Sequence, residues 1–259
     1  MELDIEQIRL VSAKAALPMQ FVIKEFHVME VLAQIVAANE DTDNLIFKGG
    51  TAINKAYFGG LARFSEDLDF DLADADMQEA RKWAEDMAGK ITGYKIGRIR
   101  RVRKTFQVEC AFQSPLGTPD KVRIDIAAKP KFTAMPVSRG SVISTWASRT
   151  ISGARIYSLD DLLARKLCAL SVRCEGKDVY DVFHALPLSK EIRPAIMQML
   201  KSEESAKTPA QFLEAAVSKL HACNPKKLRD LTNPFIPSHL RPPNWAEFVN
   251  EVARRLGGI

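Results

Sequence analysis

Three carboxylates recur at every second position in Glu66-Asp67-Leu68-Asp69-Phe70-Asp71-Leu72. From Asp67 on, acid and apolar residues alternate with the period of a β-strand. That puts Asp67, Asp69 and Asp71 on one face and Leu68, Phe70 and Leu72 on the other. Side chains two apart on a strand are separated by roughly 6–7 Å. Each neighbouring pair of acids then repels by about 0.6 kcal/mol in water, or about 2.5 kcal/mol at an effective dielectric near 20. A divalent cation with oxygen ligands offsets that repulsion. Two carboxylates at i and i+2 can share two Mg2+ or Mn2+ ions, which activate a hydroxyl and neutralise a triphosphate during in-line displacement. The same strand also reads as a solvent-facing edge that carries acids against aggregation. A calcium loop is excluded, because no Gly and terminal Glu follow at loop spacing.

A second group precedes it. Lys48-Gly49-Gly50-Thr51 lies at the junction of a short apolar strand, Leu45-Ile46-Phe47, and a helix expected from about Thr51 to Tyr57, ended by Gly59-Gly60. Two glycines let a backbone approach a phosphate closely, and a helix start offers free N–H donors. The Thr51 hydroxyl adds a donor. The spacing is not that of a Walker loop. Arg63 and Ser65, just before the acids, are candidates for phosphate oxygens. Asp125, in Val122-Arg123-Ile124-Asp125-Ile126, reads equally as a third carboxylate for the same cations or as a strand acid paired with Arg123 or Lys121.

The elements that must position these residues follow from periodicity. Val22, Phe26, Met29, Leu32 and Val36 share one helix face within a mostly helical stretch over residues 1–40. Residues 76–88 form an amphipathic helix. Strands are predicted at 94–102, 105–112 and 122–127, while 130–155 has no clear period. From Ser158, an N-cap before Asp160 and Asp161, the pattern is helical, with helices at 158–173, 177–186, 193–201, 208–221 and 243–256. The fold class is therefore α+β, with a mixed part over 1–157 and a helical part over 158–259.

Composition bounds the rest. The chain has 259 residues, 46% apolar and 27% charged, ordinary for a globular protein. No apolar run is long enough to span a bilayer, and Met1-Glu2-Leu3-Asp4 is no secretory signal, so a cytoplasmic, membrane-free protein is expected. Cys110, Cys168, Cys174 and Cys223 lack zinc-site spacing and read as reduced thiols. The net charge is +5. Lys95, Arg98, Arg100, Arg101, Arg103 and Lys104 fall in one acid-free segment, which reads either as a solvated face or as a stripe facing nucleic acid.

Three blocks carry a resemblance to a known family. They are Phe47-Lys48-Gly49-Gly50-Thr51-Ala52-Ile53, Arg63-Phe64-Ser65-Glu66-Asp67-Leu68-Asp69-Phe70, and Leu162 to Leu170 continuing through Arg173 to Lys177-Asp178-Val179-Tyr180-Asp181-Val182. In order and spacing the chain resembles the AbiEii/AbiGii-type nucleotidyltransferase toxin family, which includes the MenT-type toxins. The resemblance implies a DNA-polymerase-β-like nucleotidyltransferase core with a mixed sheet and a helical C-terminal region. It implies that Asp67 and Asp69 bind metal ions and that Gly49, Gly50, Thr51 and Ser65 lie at the triphosphate. Lys166 matches the family's essential lysine, Asp178 its later essential aspartate, and Asp181 the companion aspartate. Two departures stand out. Fifteen residues separate Thr51 from Asp67, longer than in the wider superfamily. Lys177-Asp178 replaces the commoner Arg-Asp, which keeps the charge and loses the bidentate fork.

The third block also reads without the family. Lys166 and Arg173 share a helix face, as do Asp178 and Asp181 on the next helix. They form either a phosphate-holding cation with its orienting acid or an ion-pair cluster pinning two helices. The resemblance favours a role for Lys166 and Asp178 at the cleft. It further implies transfer of a nucleoside monophosphate from an NTP, a tRNA 3′ end as one acceptor class, and a separately encoded antitoxin in a toxin–antitoxin or phage-defence pair. The alternatives are a kinase-like phosphotransferase and a catalytically silent module that binds nucleic acid or antitoxin.

Overall fold

Asp4 begins helix α1 (Ile5–Ala15) by accepting from the Glu6 and Gln7 amides, and Ala16 ends it in the left-handed region. Pro18 precedes α2 (Met19–Ala37), whose Val22, Val28, Val31, Leu32 and Ile35 are buried. Strand β1 (Leu45–Lys48) runs directly into the short α3 (Gly49–Ala52) and a π-helical turn, Ile53–Tyr57. Then come β2 (Asp67–Ala73), α4 (Met77–Lys90, opened by an Asp76–Glu79 capping box), β3 (Lys95–Ile96), β4 (Arg100–Val102), β5 (Thr105–Gln113), β6 (Pro119–Lys129), β7 (Ser138–Ser144) and β8 (Arg149–Ile156). The helices α5 (Leu159–Arg173), α6 (Gly176–Ala185), α7 (Ile192–Ser202), α8 (Pro209–His221), α9 (Pro225–Thr232) and α10 (Trp245–Gly257) complete the chain. This computed structural model describes residues 3–59 and 62–259. Met1, Glu2 and the expected helix stop at Gly60 lie outside the described residues.

The fold is mixed α+β, in two units. One comprises Met1–Lys131 with Ser138–Ile156, the other Phe132–Val137 with Tyr157–Ile259. In the first, the described strands form a mixed sheet in the order β3-β5-β6-β2-β1-β8-β7, with β4 also on β5. Strand β2 is central, antiparallel to β1 and parallel to β6. It is therefore no edge strand, so edge protection does not account for its acids. Register gathers the apolar residues on one face, pairing Val108 with Ile124 and Phe106 with Ile126, all buried. Phe70 packs at 5.2 Å from the Phe47 ring and 6.4 Å from the α4 Trp83 ring. Ile8, Val22, Ile23 and Phe64 build a second apolar cluster.

Several expectations are revised. The strand predicted over 94–102 is two short pieces, β3 and β4, both paired with β5. Residues 130–155 contain the β7–β8 pair, whose bulge between Gly140 and Val142 breaks the alternation. Helix α9 was not expected, because Pro225 reads as a breaker. It sits at the first helical position behind the Asn224 cap, where its missing N–H costs nothing. Residues 132–137 belong with the second unit: the buried Asp161 carboxylate accepts from the Ala134 and Met135 amides, and Arg165 donates to the Phe132 carbonyl. Cys174 and Cys223, 49 positions apart in sequence, are joined in a disulfide, so only Cys110 and Cys168 are free thiols. No helix among the described residues is long and apolar enough to cross a membrane.

Inside the first unit, Lys55 and Glu25 form an ion pair with both side chains almost fully buried, and Ser144 also donates to Glu25. Removing one partner of such a pair strands the other charge. Lys55→Met should therefore destabilise the protein by about 3–5 kcal/mol, read from denaturant unfolding, whereas Lys55→Met with Glu25→Leu should recover most of that loss.

Candidate active site

Because β2 and β6 are parallel neighbours, register sets Asp67 beside Arg123 and Asp69 beside Asp125. Strand β5 adds Gln107 opposite Asp125 and Glu109 opposite Arg123. The face of the sheet away from the apolar core thus collects acids around a single guanidinium. Arg123 Nη2 donates to Asp67 at 2.6 Å, and its Nε lies 3.4 Å from Asp125. Asp125 Oδ1 is buried with no hydrogen-bond partner. Burial, then the charge of Asp69, pushes the Asp125 carboxyl up to about 6, with Arg123 opposing. Asp67 is raised for the same first reason, with Asp69 and Glu66 adding to it. Burial would lower Arg123, but the charges of Asp67, Asp125 and Asp69 outweigh it and hold Arg123 above its ordinary value.

The glycine turn lies directly on this cluster. Gly49 has φ +80, and a Cβ there would stand 2.2 Å from Asp69 Oδ2. Only glycine permits both the conformation and the approach. The Thr51 hydroxyl donates to the Asp67 carbonyl at 2.6 Å, tying the start of α3 to β2. The structure therefore brings Gly49, Thr51, Asp67, Asp69 and Asp125 together.

Other candidates are placed differently. The Lys48 ammonium pairs with Asp71, which is fully buried, so the third acid of the strand is neutralised by the protein itself. Arg63 and Ser65 are buried; Arg63 donates to the Ser65 hydroxyl at 3.0 Å and to the Phe64 carbonyl at 2.9 Å. Asn54 clamps the same segment through the Arg63 carbonyl and the Ala62 amide. These residues hold the loop before β2. The residue that sequence reasoning undervalued is Arg123, seen only as a partner for Asp125. Its signal was the Arg-x-Asp alternation of β6 lying alongside the Asp-x-Asp of β2.

Whether a divalent cation suits this cluster depends on its donors. Among the described residues, no group of three or more His, Cys, Asp or Glu side chains converges into a finished cation cage. The donor set nevertheless fits a hard cation: carboxylate oxygens, one of them buried and unpartnered, with raised affinity for positive charge. Arg123 occupies part of that demand.

In the second unit, Lys166 lies 3.2 Å from Asp178 and 3.0 Å from Asp181, and all three are buried. Arg173 forks the Asp178 carboxylate through Nε at 2.9 Å and Nη2 at 3.0 Å. Burial would raise Asp178, but Lys166 and Arg173 outweigh it and hold the carboxyl below its usual range. The bidentate fork missing at Lys177 is thus supplied by Arg173. Lys177 instead lies 3.3 Å from the centre of the Phe235 ring.

The model of one protein family, the AbiEii nucleotidyl transferase toxins of type IV toxin–antitoxin systems, matches residues 30–256, nearly all of the chain. The chain belongs to that family. As an AbiEii toxin it shares its fold with MenT4, a nucleotidyltransferase toxin from Mycobacterium tuberculosis H37Rv. That likeness has a TM-score of 0.68 at 20% identity and covers 98% of this chain and 89% of MenT4. An antigenic nucleotidyltransferase-like protein from Paracoccidioides brasiliensis matches at 17% identity and a TM-score of 0.45, over 72% of this chain and 95% of that one, which is too low to carry a fold argument. No curated protein sequence matches the AbiEii chain.

Two outcomes follow from the cluster. Gly49→Ala should displace Asp69 and destabilise the toxin by at least about 1–3 kcal/mol in thermal or urea unfolding, because strain and collision act together. The second concerns pH. With Asp125 raised from 3.8 to about 6, the metal-free folded state binds the proton more tightly than the unfolded chain, so stability falls as pH rises from about 4 to 6. Asp125→Asn should be more stable than the native chain at pH 7 in EDTA and lose that advantage near pH 4.

Proposed function

We propose that this AbiEii-family toxin transfers a nucleoside monophosphate from an NTP to the 3′ end of an RNA, a tRNA being the expected acceptor, with release of pyrophosphate. Mg2+ or Mn2+ held by Asp67, Asp69 and Asp125 would activate the acceptor hydroxyl and screen the triphosphate. The observation that carries this reading is the pairing of Asp69 with Asp125 beside a glycine turn. Asp69 lies under Gly49, and Asp125 keeps a buried oxygen without a partner.

The chain's own residues divide the work. The backbone of Gly49 and Gly50, at the start of α3, approaches the phosphates without a side chain in the way. Thr51 fixes that turn to β2, and Lys48 quenches Asp71 so that charge on the strand is concentrated at Asp67 and Asp69. Arg123 keeps the acids together before nucleotide arrives. Lys166, oriented by Asp178 and Asp181, neutralises phosphate charge, a role resting on the family likeness. The exposed basic pieces around Arg100, Arg101, Arg103 and Lys104 suit an RNA backbone. The family's type IV systems supply the further partner, an antitoxin, and the setting is the cytoplasm.

The test is incubation of the purified toxin with total RNA and NTPs labelled at either the α or the γ phosphate. Label from the α position should enter RNA, and Asp69→Ala should lower incorporation by about a hundredfold or more while melting as the native protein does. Transfer of γ label alone would make the protein a phosphotransferase. An active, folded Asp69→Ala protein would sink the site assignment.

A further inference from the structure

The second unit contains a cavity of about 640 Å3, a volume ordinary for ligand sites, between the end of α5, the start of α6 and the α8–α9 turn. Its charge is one-sided. Arg173, Lys177, Lys219 and Lys227 line it, against the single acid Glu175. Two of these cations are engaged, Arg173 by Asp178 and, at 3.6 Å, by Glu175, and Lys177 over the Phe235 ring. Lys219 and Lys227 make no ion pair among the described residues.

Apart from Asn224, the remaining side chains of the wall are largely apolar. Leu228, Leu231 and Phe235 contribute to it, and Leu231 is 62% exposed, open to a ligand. The Cys174–Cys223 disulfide ties the end of α5 to the turn after α8. A Cβ on Gly176 would stand 2.1 Å from the Thr232 hydroxyl and 2.7 Å from the Leu228 carbonyl, so α6 and α9 meet at the closest approach glycine allows.

We propose that this cavity binds a phosphate-bearing ligand whose phosphate is held by Lys219 and Lys227, with Arg173 beside them, and whose base or ribose lies against Leu228, Leu231 and Phe235. Like charges gathered in a concavity raise the local potential and favour a multivalent anion. A phosphate presents several oxygens to several cations at once. The apolar wall gives a nucleotide, whether free or part of a single RNA strand, a contact that inorganic phosphate lacks. The inference goes beyond the transfer reaction and does not depend on the Asp67–Asp69–Asp125 cluster.

The test uses the full chain in EDTA, so that no cation bridges nucleotide to that cluster. One arm measures ATP binding by calorimetry, the other the anisotropy of a short labelled single-stranded oligoribonucleotide. Lys219→Glu with Lys227→Glu should weaken binding by about tenfold or more in at least one arm, and by less with the paired Gln substitutions. If the Glu protein melts early, the Gln protein carries the comparison. Loss in the ATP arm identifies a free nucleotide, and loss in the RNA arm alone identifies a strand. Transfer is measured separately with Mg2+ present, so failure of transfer and failure of the cavity appear in different measurements. Unchanged affinity in both arms overturns the proposal. So does an equal loss for poly-glutamate, which would mean that the cavity reads charge without phosphate.

Discussion

Repulsion between carboxylates on neighbouring parallel strands is the constraint around which the first unit is arranged. Asp67, Asp69 and Asp125 project from one face of β2 and β6, and register leaves them no freedom to separate. Arg123 is the one guanidinium that register inserts among them, and it reaches only two. Burial, with the neighbouring acids adding to it, raises the Asp67 and Asp125 carboxyls, and one Asp125 oxygen is buried with nothing bonded to it. Positive charge brought beside Asp69 and Asp125 would relieve that repulsion, and a hard divalent cation is the chemistry that such oxygen donors suit.

The surroundings support that arrangement from two directions. Apolar residues of β2, β5 and β6 fill the opposite face and make the register unambiguous. On the polar side, the passage from β1 into α3 and the π-helical turn is pinned by Thr51 to the β2 backbone, and Asn54 with Arg63 secures the approach to β2. Lys48 does the most selective work. By pairing with Asp71 it removes one acid from a row of three, so the strand presents two carboxylates rather than a run.

Much of this was legible in the residues. The alternation of Asp67 to Leu72 announced β2, and Ser158 with Asp160 and Asp161 announced α5, because local periodicity and capping dominate there. The grouping of Gly49 with Asp69 was implied by family likeness, and its reason, a Cβ-sized gap that does not exist, needed coordinates. What stayed hidden depends on pairing across the chain. Arg123 matters through strand register, Lys48 through its diagonal reach to Asp71, and Cys174 through a partner 49 residues away. Helix α9 was missed because proline punctuates two opposite situations, an ending and a beginning.

The Asp178 carboxylate has a consequence for genetics. It accepts the Arg173 fork and the Lys166 ammonium, and the Glu175 amide at 3.4 Å also caps the start of α6 on it. A screen that selects survivors of toxin expression is expected to recover Asp178 alleles whether or not the carboxylate touches substrate, since replacing it removes the acceptor that joins two helices. Asp69 is the opposite case, because no donor of the described chain is bonded to its carboxylate. On the proposed function, loss-of-toxicity alleles at Asp69 are expected to leave the protein abundant and those at Asp178 to deplete it, a difference that immunoblots of the survivors will read.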